Sequence, residues 1–281
     1  MKRYFYLLFF PIALIAQTAT APSSGDGSSG DPYQIATLNN LYWITQNSGE
    51  WDAYYIQTAN IDASSSSSWD SNAGFTPIGN SGTRFTGSYD GDGYTIDSLF
   101  INRSTSSIGL FGHIGVDANS ATTIQNLGLT NVSITGNNDV GALVGFKRQG
   151  MLTVSNCYST GSVTGSGINV GGLVGKLHLS TTSVSNCYST GSVTGSSGSV
   201  GGLVGVTTNG ATVSNSFWDR QTSGMITSYG GEGLSTTEMM DAYTFCSASW
   251  DFEEDENGND NGTSGGASGN GTDNYWDMIQ D

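Results

Sequence analysis

Few residues in this chain have side chains that could do chemistry, and most of those are carboxylates. The 281 residues include 24 Asp and Glu, 8 Lys and Arg, 2 His and 3 Cys. The two histidines, His113 and His178, follow glycines at different distances, and no H-E-x-x-H sequence is present. That motif places two histidines on one helix face to hold zinc. We therefore exclude a zinc protease site of this type and interpret both histidines as ordinary polar side chains.

Two carboxylate clusters are candidate calcium sites. Asp90, Asp92 and Asp97 lie in a turn and the strand after it, and a second acidic group covers residues 251–260. Ca²⁺ prefers several oxygen ligands, so Asp90 and Asp92 are the candidate metal ligands, with a glycine-rich turn as the alternative. The second group lacks the Gly and Glu of an EF-hand loop, and its alternative is a solvated linker. No cofactor other than calcium is expected.

Neither a nucleophile nor a sugar-cleaving site is indicated. The G-x-S-x-G sequence at 262–266 lies in a low-complexity tail and not in a strand–turn–helix. Polysaccharide-cleaving β-helix proteins need a base beside bound calcium, or paired carboxylates. The repeats offer Lys147, Arg148 and Lys176, but Asp139 is the single acid between 136 and 212. We assign no catalytic residue, and a polysaccharide lyase or hydrolase is the alternative function.

Any site must be positioned by a repeat of 30 residues. The sequence V-S-N-C-Y-S-T-G-S-V-T-G occurs at 154–165 and again at 184–195, and each copy leads into V-G-G-L-V-G, at 170–175 and 200–205. Short Val-rich runs separated by Ser, Thr, Asn and Gly predict strands, and a fixed period of this size indicates stacked units. We expect a parallel β-solenoid in which Val154 and Val184 are neighbours at about 4.8 Å.

The aligned copies predict the direction of individual side chains. An Asn column is expected at a bend, where each amide can bond the backbone or the Asn of the next turn; it contains Asn126, Asn156, Asn186 and Asn215. The next position is expected to face inward and contains Leu127, Cys157, Cys187 and Ser216. We expect Cys157 and Cys187 to be reduced, because side chains stacked in parallel suit a disulfide poorly, and Cys246 to be unpaired. The following position carries Tyr158, Tyr188 and Phe217, which are predicted to form an outward aromatic strip.

These motifs resemble the GLUG-motif family of bacterial cell-surface and adhesin-like proteins. The resemblance rests on the repeated G-G-L-V-G and N-C-Y-S-T-G-S-V-T-G, and similar flanking segments lie at 75–79, 85–96 and 217–219. It implies an all-β fold, a right-handed parallel β-helix, and a secreted or surface location. It implies no catalytic residue that could be carried over.

The rest of the chain divides into segments that differ in composition. A basic start and an apolar run predict a signal peptide at 1–21. The segments expected after it are a flexible linker at 22–31, an N-terminal cap and first coils at 32–107, the β-helix repeats at 108–224, and an irregular C-terminal cap region with an acidic Gly/Asn-rich tail at 225–281. Whether the C-terminus is truncated stays open.

Local patterns refine the two cap regions. Apolar spacing over 33–47 predicts a capping helix. A first strand is expected at 51–61 and a polar loop at 62–72. The S-T-T-E sequence at 235–238 predicts a short helix over 236–244.

Charge limits the partners. The net charge of −16 at pH 7 disfavours nucleic acids, anionic membranes and polyanionic glycans. No membrane insertion is expected after signal cleavage. We expect a secreted or cell-surface adhesin-like module that displays Tyr158, Tyr188 and Phe217 to an extracellular glycan or protein. A third hypothesis is an ice- or crystal-binding surface built from Thr160 and Thr190 together with Thr164 and Thr194.

Overall fold

The computed structural model describes residues 17–115, 121–178, 181–196, 198–248 and 250. The apolar run at 4–16 of the predicted signal peptide, the acidic group at 251–260 and the G-x-S-x-G sequence at 262–266 lie outside these residues. Within them, no helix has the length and apolar character needed to cross a membrane.

Twenty strands and four α-helices are described. The strands are β1 Tyr33–Ile35, β2 Tyr54–Gln57, β3 Ile61–Asp62, β4 Ser88–Asp90, β5 Thr95–Asp97, β6 Phe100–Asn102, β7 Phe111–Ile114, β8 Ala121–Gly136, β9 Val144–Lys147, β10 Met151–Gly165, β11 Val170–Gly171, β12 Val174–His178, β13 Thr182–Ser185, β14 Tyr188–Ser189, β15 Ser192–Gly195, β16 Val200–Gly201, β17 Val204–Thr208, β18 Thr212–Ser214, β19 Phe217–Asp219 and β20 Glu232–Leu234. The helices are α1 Leu38–Gln46, α2 Arg220–Ser223, α3 Thr236–Met239 and α4 Ala242–Ser247, and 3₁₀ turns lie at Ser48–Glu50, Ser64–Ser68 and Asp70–Asn72.

The strands form a parallel β-solenoid, as the repeat predicts. Val154 of β10 pairs in parallel with Val184 of β13 and, on its other side, with Ile124 of β8. The main sheet has the order β1-β2-β4-β8-β10-β14-β19-β20, and a second sheet has the order β17-β12-β9-β7. Each coil therefore hydrogen-bonds to the next, so equivalent residues of successive repeats lie side by side.

Three outer faces of the solenoid are defined by their strands. The first face contains the stretch before the Asn bend, at 121–125, 151–155, 182–185 and 212–214. The second face contains the stretch after it, at 127–130, 157–160, 188–190 and 217–219. A further corner at Asn131 and Gly161, where the backbone φ is 52° and 105°, separates the second face from the stretch at 132–136, 162–165 and 192–195. The third face is the sheet of β7, β9, β12 and β17.

The Asn column makes the bend between the first and second faces. The backbone φ is 55° at Asn126, 52° at Asn156, 51° at Asn186 and 47° at Asn215. Asn tolerates this left-handed conformation better than most residues. The Asn156 amide also donates to Oδ1 of Asn126 at 2.9 Å. The expected bend and the bond between successive turns are both confirmed.

The interior is filled by stacked apolar side chains. Leu127, Cys157 and Cys187 are fully buried and Ser216 nearly so, which confirms the inward column. Leu173 and Val174 are both fully buried although they are adjacent. This is possible because Leu173 lies in the bend that precedes β12. All three cysteines are free, and burial raises the pKa of the Cys157 thiol.

The glycines of V-G-G-L-V-G let neighbouring coils approach each other. A Cβ atom at Gly175 would lie 2.5 Å from the backbone nitrogen of Val140, and one at Gly205 would lie 2.5 Å from the oxygen of Gly175. Real Cβ atoms essentially never come this close to backbone atoms. The motif's spacing therefore serves the packing of the coils.

The N-terminal region differs from its prediction in two places. The helix begins only at Leu38, with Thr37 as its N-cap, because Tyr33–Ile35 pairs in parallel with β2. Residues 22–31 were expected to be a flexible linker, but Gln34 N donates to the oxygen of Ser24 and Asp26 N to that of Asp31. The predicted strand at 51–61 is two short strands, β2 and β3, and the loop at 62–72 contains two 3₁₀ turns.

The C-terminal region forms a small second core. Ser235 and Glu238 make the predicted capping box at the start of α3, and α4 follows directly. The apolar side chains of this region pack together: Phe217, Leu234, Met239, Phe245 and Trp250. The predicted short helix is thus two short helices, and they lie against β19.

Candidate binding faces

The first face carries two columns of outward hydroxyl groups. Pairing register aligns one column through Ser88, Thr123, Thr153, Ser183 and Thr212. A second column aligns Ser155, Ser185 and Ser214 after Gln125. These columns were not predicted from the sequence. The signal was the Ser and Thr residues at alternate positions before each repeat's Asn, which on a strand share one side.

The second face carries the aromatic strip. The rings of Tyr158 and Tyr188 are stacked, with centroids 4.9 Å apart and planes at 5°. The face of the Tyr158 ring that points away from Tyr188 covers Gly128. A Cβ atom added at Gly128 would lie 2.5 Å from this ring. Burial raises the pKa of both tyrosine hydroxyls. The ring faces are therefore used within the ladder.

Phe217 continues this column but is not displayed, which corrects the expectation for that residue. It pairs with Tyr188 in register, yet its exposed fraction is 5%. The Phe245 ring lies 5.3 Å from its centroid and the Trp250 ring 6.1 Å. The C-terminal helices, which are not part of the repeat, fold back over it. The exposed strip thus consists of Tyr158 and Tyr188, both half-buried.

Hydroxyl columns also continue beyond the corner at Asn131 and Gly161. Ser133, Ser162 and Ser192 align in register, as do Thr135, Thr164 and Thr194. The predicted stacking of Thr164 on Thr194 is therefore present. The tyrosine pair lies on the other side of this corner, so a ligand that spans the corner would meet both.

Asp90, a candidate calcium ligand, accepts hydrogen bonds from protein donors. Its Oδ2 accepts from Nε2 of Gln125 at 2.6 Å, and its Oδ1 accepts from Nδ2 of Asn126 at 3.0 Å and from the backbone of Asp92 at 2.9 Å. Asp90 is thus the acceptor at the end of the Asn ladder. A carboxylate suits this position because it only accepts hydrogen bonds.

The same arrangement occurs at the other corners of the solenoid. Asp97 accepts from Thr130 and Asn131, both at 2.7 Å, and Asp139 accepts from Asn169 at 2.6 Å. The bond from Thr130 lowers the pKa of Asp97 most, although burial opposes it.

Asp92 is exposed, and among the described residues no three His, Cys, Asp or Glu side chains are grouped to hold a metal. Calcium binding by Asp90 and Asp92 stays a prediction, and the ion would compete with these donors.

The third face holds both histidines, and four of the six described Lys and Arg residues lie on it or on its first rung. Register aligns His113 with Phe146 and Phe146 with Lys176. The Lys176 ammonium lies 4.9 Å from the Phe146 centroid, and the His113 ring meets Phe146 edge-on at 5.5 Å. Burial lowers the pKa of His113 most, Arg84 and Arg148 lower it further, and Asp139 raises it. His113 is thus poised to be neutral near pH 7.

Lys147 is an inward cation on the same sheet. Its side chain is fully buried, and its Nζ donates to the oxygen of His178 at 3.0 Å. Burial lowers its pKa from 10.5 to about 8. Between these pH values the unfolded chain holds a proton that the folded chain has lost, so stability should rise with pH across this window.

We expect Lys147→Met to remove that rise and to stabilise the protein at pH 7 by about 1–2 kcal/mol, because Met fills the space without a buried charge. Urea unfolding at a series of pH values measures both effects. Lys176→Met, at a half-exposed position, is the control and should keep the rise. A pH slope in Lys147→Met equal to that of the wild type would show that Lys147 is not its source.

Comparison with known proteins assigns the repeat. Residues 166–194 match the family model of the GLUG motif. This chain carries a GLUG motif. The resemblance inferred from the sequence is thereby confirmed, and Gly175 of the matched segment is the glycine packed against Val140.

Two relatives share about half of the chain. The halomucin of Haloquadratum walsbyi is 40% identical over 151 residues, which is 52% of this chain and 2% of that protein. A protein of Evansella cellulosilytica named as a Gly-rich membrane protein is 32% identical over 147 residues, 48% of this chain and 16% of that protein. The GLUG-containing chain therefore matches only a small part of each relative's length.

A solved structure is also similar. It belongs to a protein of Bacteroides ovatus named for an immunoglobulin A1 protease, and the alignment covers 75% of this chain and 70% of that one. The TM-score is 0.48 and the sequence identity is 19%.

Proposed function

We propose that this chain is a secreted or cell-surface, adhesin-like module that binds an extracellular glycan or protein on the outside of its solenoid and catalyses no reaction. The proposal rests on one observation: the Tyr158–Tyr188 stack lies between in-register columns of Ser and Thr hydroxyls on the stretches before and after it. The names of the two relatives, a halomucin and a Gly-rich membrane protein, are consistent with a surface location.

The arrangement suits recognition of neutral sugars. Tyrosine offers an apolar edge and a polar tip at one position, which is why it is frequent in interfaces. Hydroxyl groups spaced at about 4.8 Å along a column can both donate and accept, as sugar hydroxyls do. A ligand lying along the solenoid axis could contact several coils at once.

We expect Tyr158→Ala to weaken the binding of the mature protein to its glycan or matrix ligand by about fivefold or more. This is the usual loss of affinity when a tyrosine that anchors an interface is truncated. An array of glycans and extracellular-matrix proteins identifies the ligand, and titration gives the Kd of each variant. Thermal unfolding should show a loss of about 1–2 kcal/mol, since one stacked ring is removed. Tyr188 is a poorer choice because it also contacts Phe245 and Trp250.

Ile168→Ala is a suitable control for this test. Ile168 is 45% exposed and lies outside the aromatic strip, so its truncation should leave the Kd unchanged. If Tyr158→Ala binds the array ligand as tightly as the wild type, the strip is not the binding surface.

A second candidate is binding to ice or a mineral surface. The observation that favours it is the regular hydroxyl columns, which include Thr135, Thr164 and Thr194 in one register. Inhibition of ice recrystallisation by the purified protein would support it, and this inhibition should then be reduced by Thr164→Leu.

A further inference from the structure

The cations of this acidic protein are concentrated on one face. Six Lys and Arg residues lie in the described part of the chain, and Arg84, Lys147, Arg148 and Lys176 all belong to the third face or its first rung. Both histidines belong to it as well. A net charge of −16 therefore does not describe this surface, although it led to the expectation that polyanionic glycans are disfavoured.

Pairing register arranges these residues in two parallel columns, here called the basic columns. Phe85 bridges Ile114, which pairs with Lys147, which pairs with Leu177. The residues before these inward positions face outward and form the first basic column: Arg84, His113, Phe146 and Lys176. The residues after them form the second: Thr86, Gly115, Arg148, His178 and Thr208.

The spacing of the columns follows from β-geometry. Successive rungs are about 4.8 Å apart and the two columns about 7 Å apart. Arg84 and Lys176 are therefore separated by roughly 14 Å, and Arg148 lies between them in the neighbouring column. Three cations are thus spread over two adjacent columns along the solenoid axis, separated by ring and hydroxyl side chains.

These three cations lack carboxylate partners within the described residues, unlike the other arginines. Arg103 pairs with Asp70 at 2.9 Å and Arg220 with Glu238 at 3.8 Å. Arg84, Arg148 and Lys176 form no ion pair with a described residue, and the Nε of Arg84 is buried without a hydrogen-bond acceptor there. A buried donor without an acceptor is unfavourable, and an anion that reached this guanidinium would relieve it.

Arg84 also borders a cavity at the N-terminal end of the basic columns. The cavity has a volume of about 340 Å³ and is lined by Arg84, Thr86, Thr83, Trp51, Ser48 and Asp52, with two glycines. It opens where both columns begin. A chain lying on the columns could end in it, with an anionic group on Arg84.

We propose that the third face binds a linear carboxylated polysaccharide. Its carboxylates pair with Arg84, Arg148 and Lys176, and its hydroxyls contact Thr86, His178 and Thr208. Charge-assisted hydrogen bonds to carboxylates supply the attraction. The site is separate from the tyrosine strip on the second face, so it goes beyond the function proposed above.

The geometry favours such a chain over nucleic acid. A nucleic acid strand carries a charge about every 3.4 Å and would be repelled by the remaining acidic surface. Single-stranded binding also needs open aromatic faces on which bases stack. The one aromatic ring here, Phe146, is covered by Lys176 and flanked by His113. A polymer with one charge per sugar and many hydroxyls matches the mixed columns better.

Titration of the full chain with polygalacturonate at low ionic strength tests the proposal. We expect Arg148→Gln and Lys176→Gln each to weaken binding about tenfold and to make the salt dependence shallower by about one unit of slope. Arg220→Gln removes the same charge from an exposed site elsewhere and should change the Kd less than twofold. Arg148 is exposed, so its variant should fold normally, and thermal unfolding checks this.

Three results would overturn the proposal. The first is an equal loss of affinity in Arg148→Gln and Arg220→Gln, which would indicate only general charge. The second is equal binding to neutral galactan, or no binding to polygalacturonate. The third is tighter binding to polyglutamate, single-stranded DNA or phosphatidylserine vesicles than to polygalacturonate. Because neutral ligands and Tyr158→Ala test the second face, failure here is distinguishable from failure of the adhesin-like function.

Discussion

Replacing Leu173 by Asp is expected to lower the free energy of unfolding by about 4 kcal/mol or more. Leu173 is fully buried in the bend before β12, between coils that repeat the same leucine at Leu203 and Leu143. An Asp there would lose the apolar contact and place a carboxylate among aliphatic side chains without a donor. Burial of a carboxylate without a partner is among the most destabilising effects that a single substitution can have.

Urea unfolding followed by circular dichroism measures this loss. Ile226→Asp is the matched control, because Ile226 is 85% exposed and surface substitutions usually stay within about 0.5 kcal/mol. A Leu173→Asp variant as stable as the wild type would mean that Leu173 faces solvent and that the coil has a different register.

Gly175→Ala is expected to cost about 3 kcal/mol, even though it adds a single methyl group. The new Cβ would lie 2.5 Å from Val140 N and 2.6 Å from Asp139 C, so two coils would have to separate. Backbone atoms held in a hydrogen-bonded ladder cannot move aside as a flexible side chain can, so this overpacking should be at the upper end of its usual range.

A glycine-to-alanine substitution at an uncrowded position is the control. It distinguishes the effect of steric crowding from the effect of losing glycine's conformational entropy. No atom lies within 4 Å of a Cβ built at Gly30, so Gly30→Ala should be neutral or slightly stabilising. Both variants can be compared by thermal and urea unfolding. Equal stability of the two would show that the motif's glycine is not required for the approach of the coils.

The sequence predicts the repeated part of the fold well. A 30-residue period fixes which residues stack, so the inward position of Cys157, the bend at Asn156 and the pairing of Val154 with Val184 follow from the alignment of copies. The position of a residue in one copy predicts the position of its equivalent in the next copy. The alternation of side chains along a strand then predicts whether each one faces the interior or the solvent.

The parts that were missed depend on segments outside the identical repeats. Phe217 has the outward position that the alignment gives it, but α3 and α4 cover it, and no period predicts where a non-repeating segment packs. The hydrogen bonds that Asp90 accepts were not predicted because its partners, Gln125 and Asn126, are 35 and 36 residues away in the chain.

The basic columns were missed for a related reason. Arg84 joins them through an isolated bridge from Phe85 to Ile114, in coils whose sequences have diverged from the repeat. In the sequence Lys147 and Arg148 are neighbours, but the strand places one inside and the other outside. Net charge also averages over the whole molecule and therefore conceals one positive face.

We propose that the solenoid binds by display and leaves its ligand intact. Incubating the protein with a polysaccharide that it binds, and assaying reducing ends and unsaturated sugars, tests this most directly. We expect bound polymer of unchanged length, with binding weakened by Tyr158→Ala for a neutral glycan or by Arg148→Gln for an acidic one. Released oligosaccharides whose formation stops in Asp90→Asn or Asp92→Asn, with binding indifferent to Tyr158 and Arg148, would contradict the claim and make the protein an enzyme.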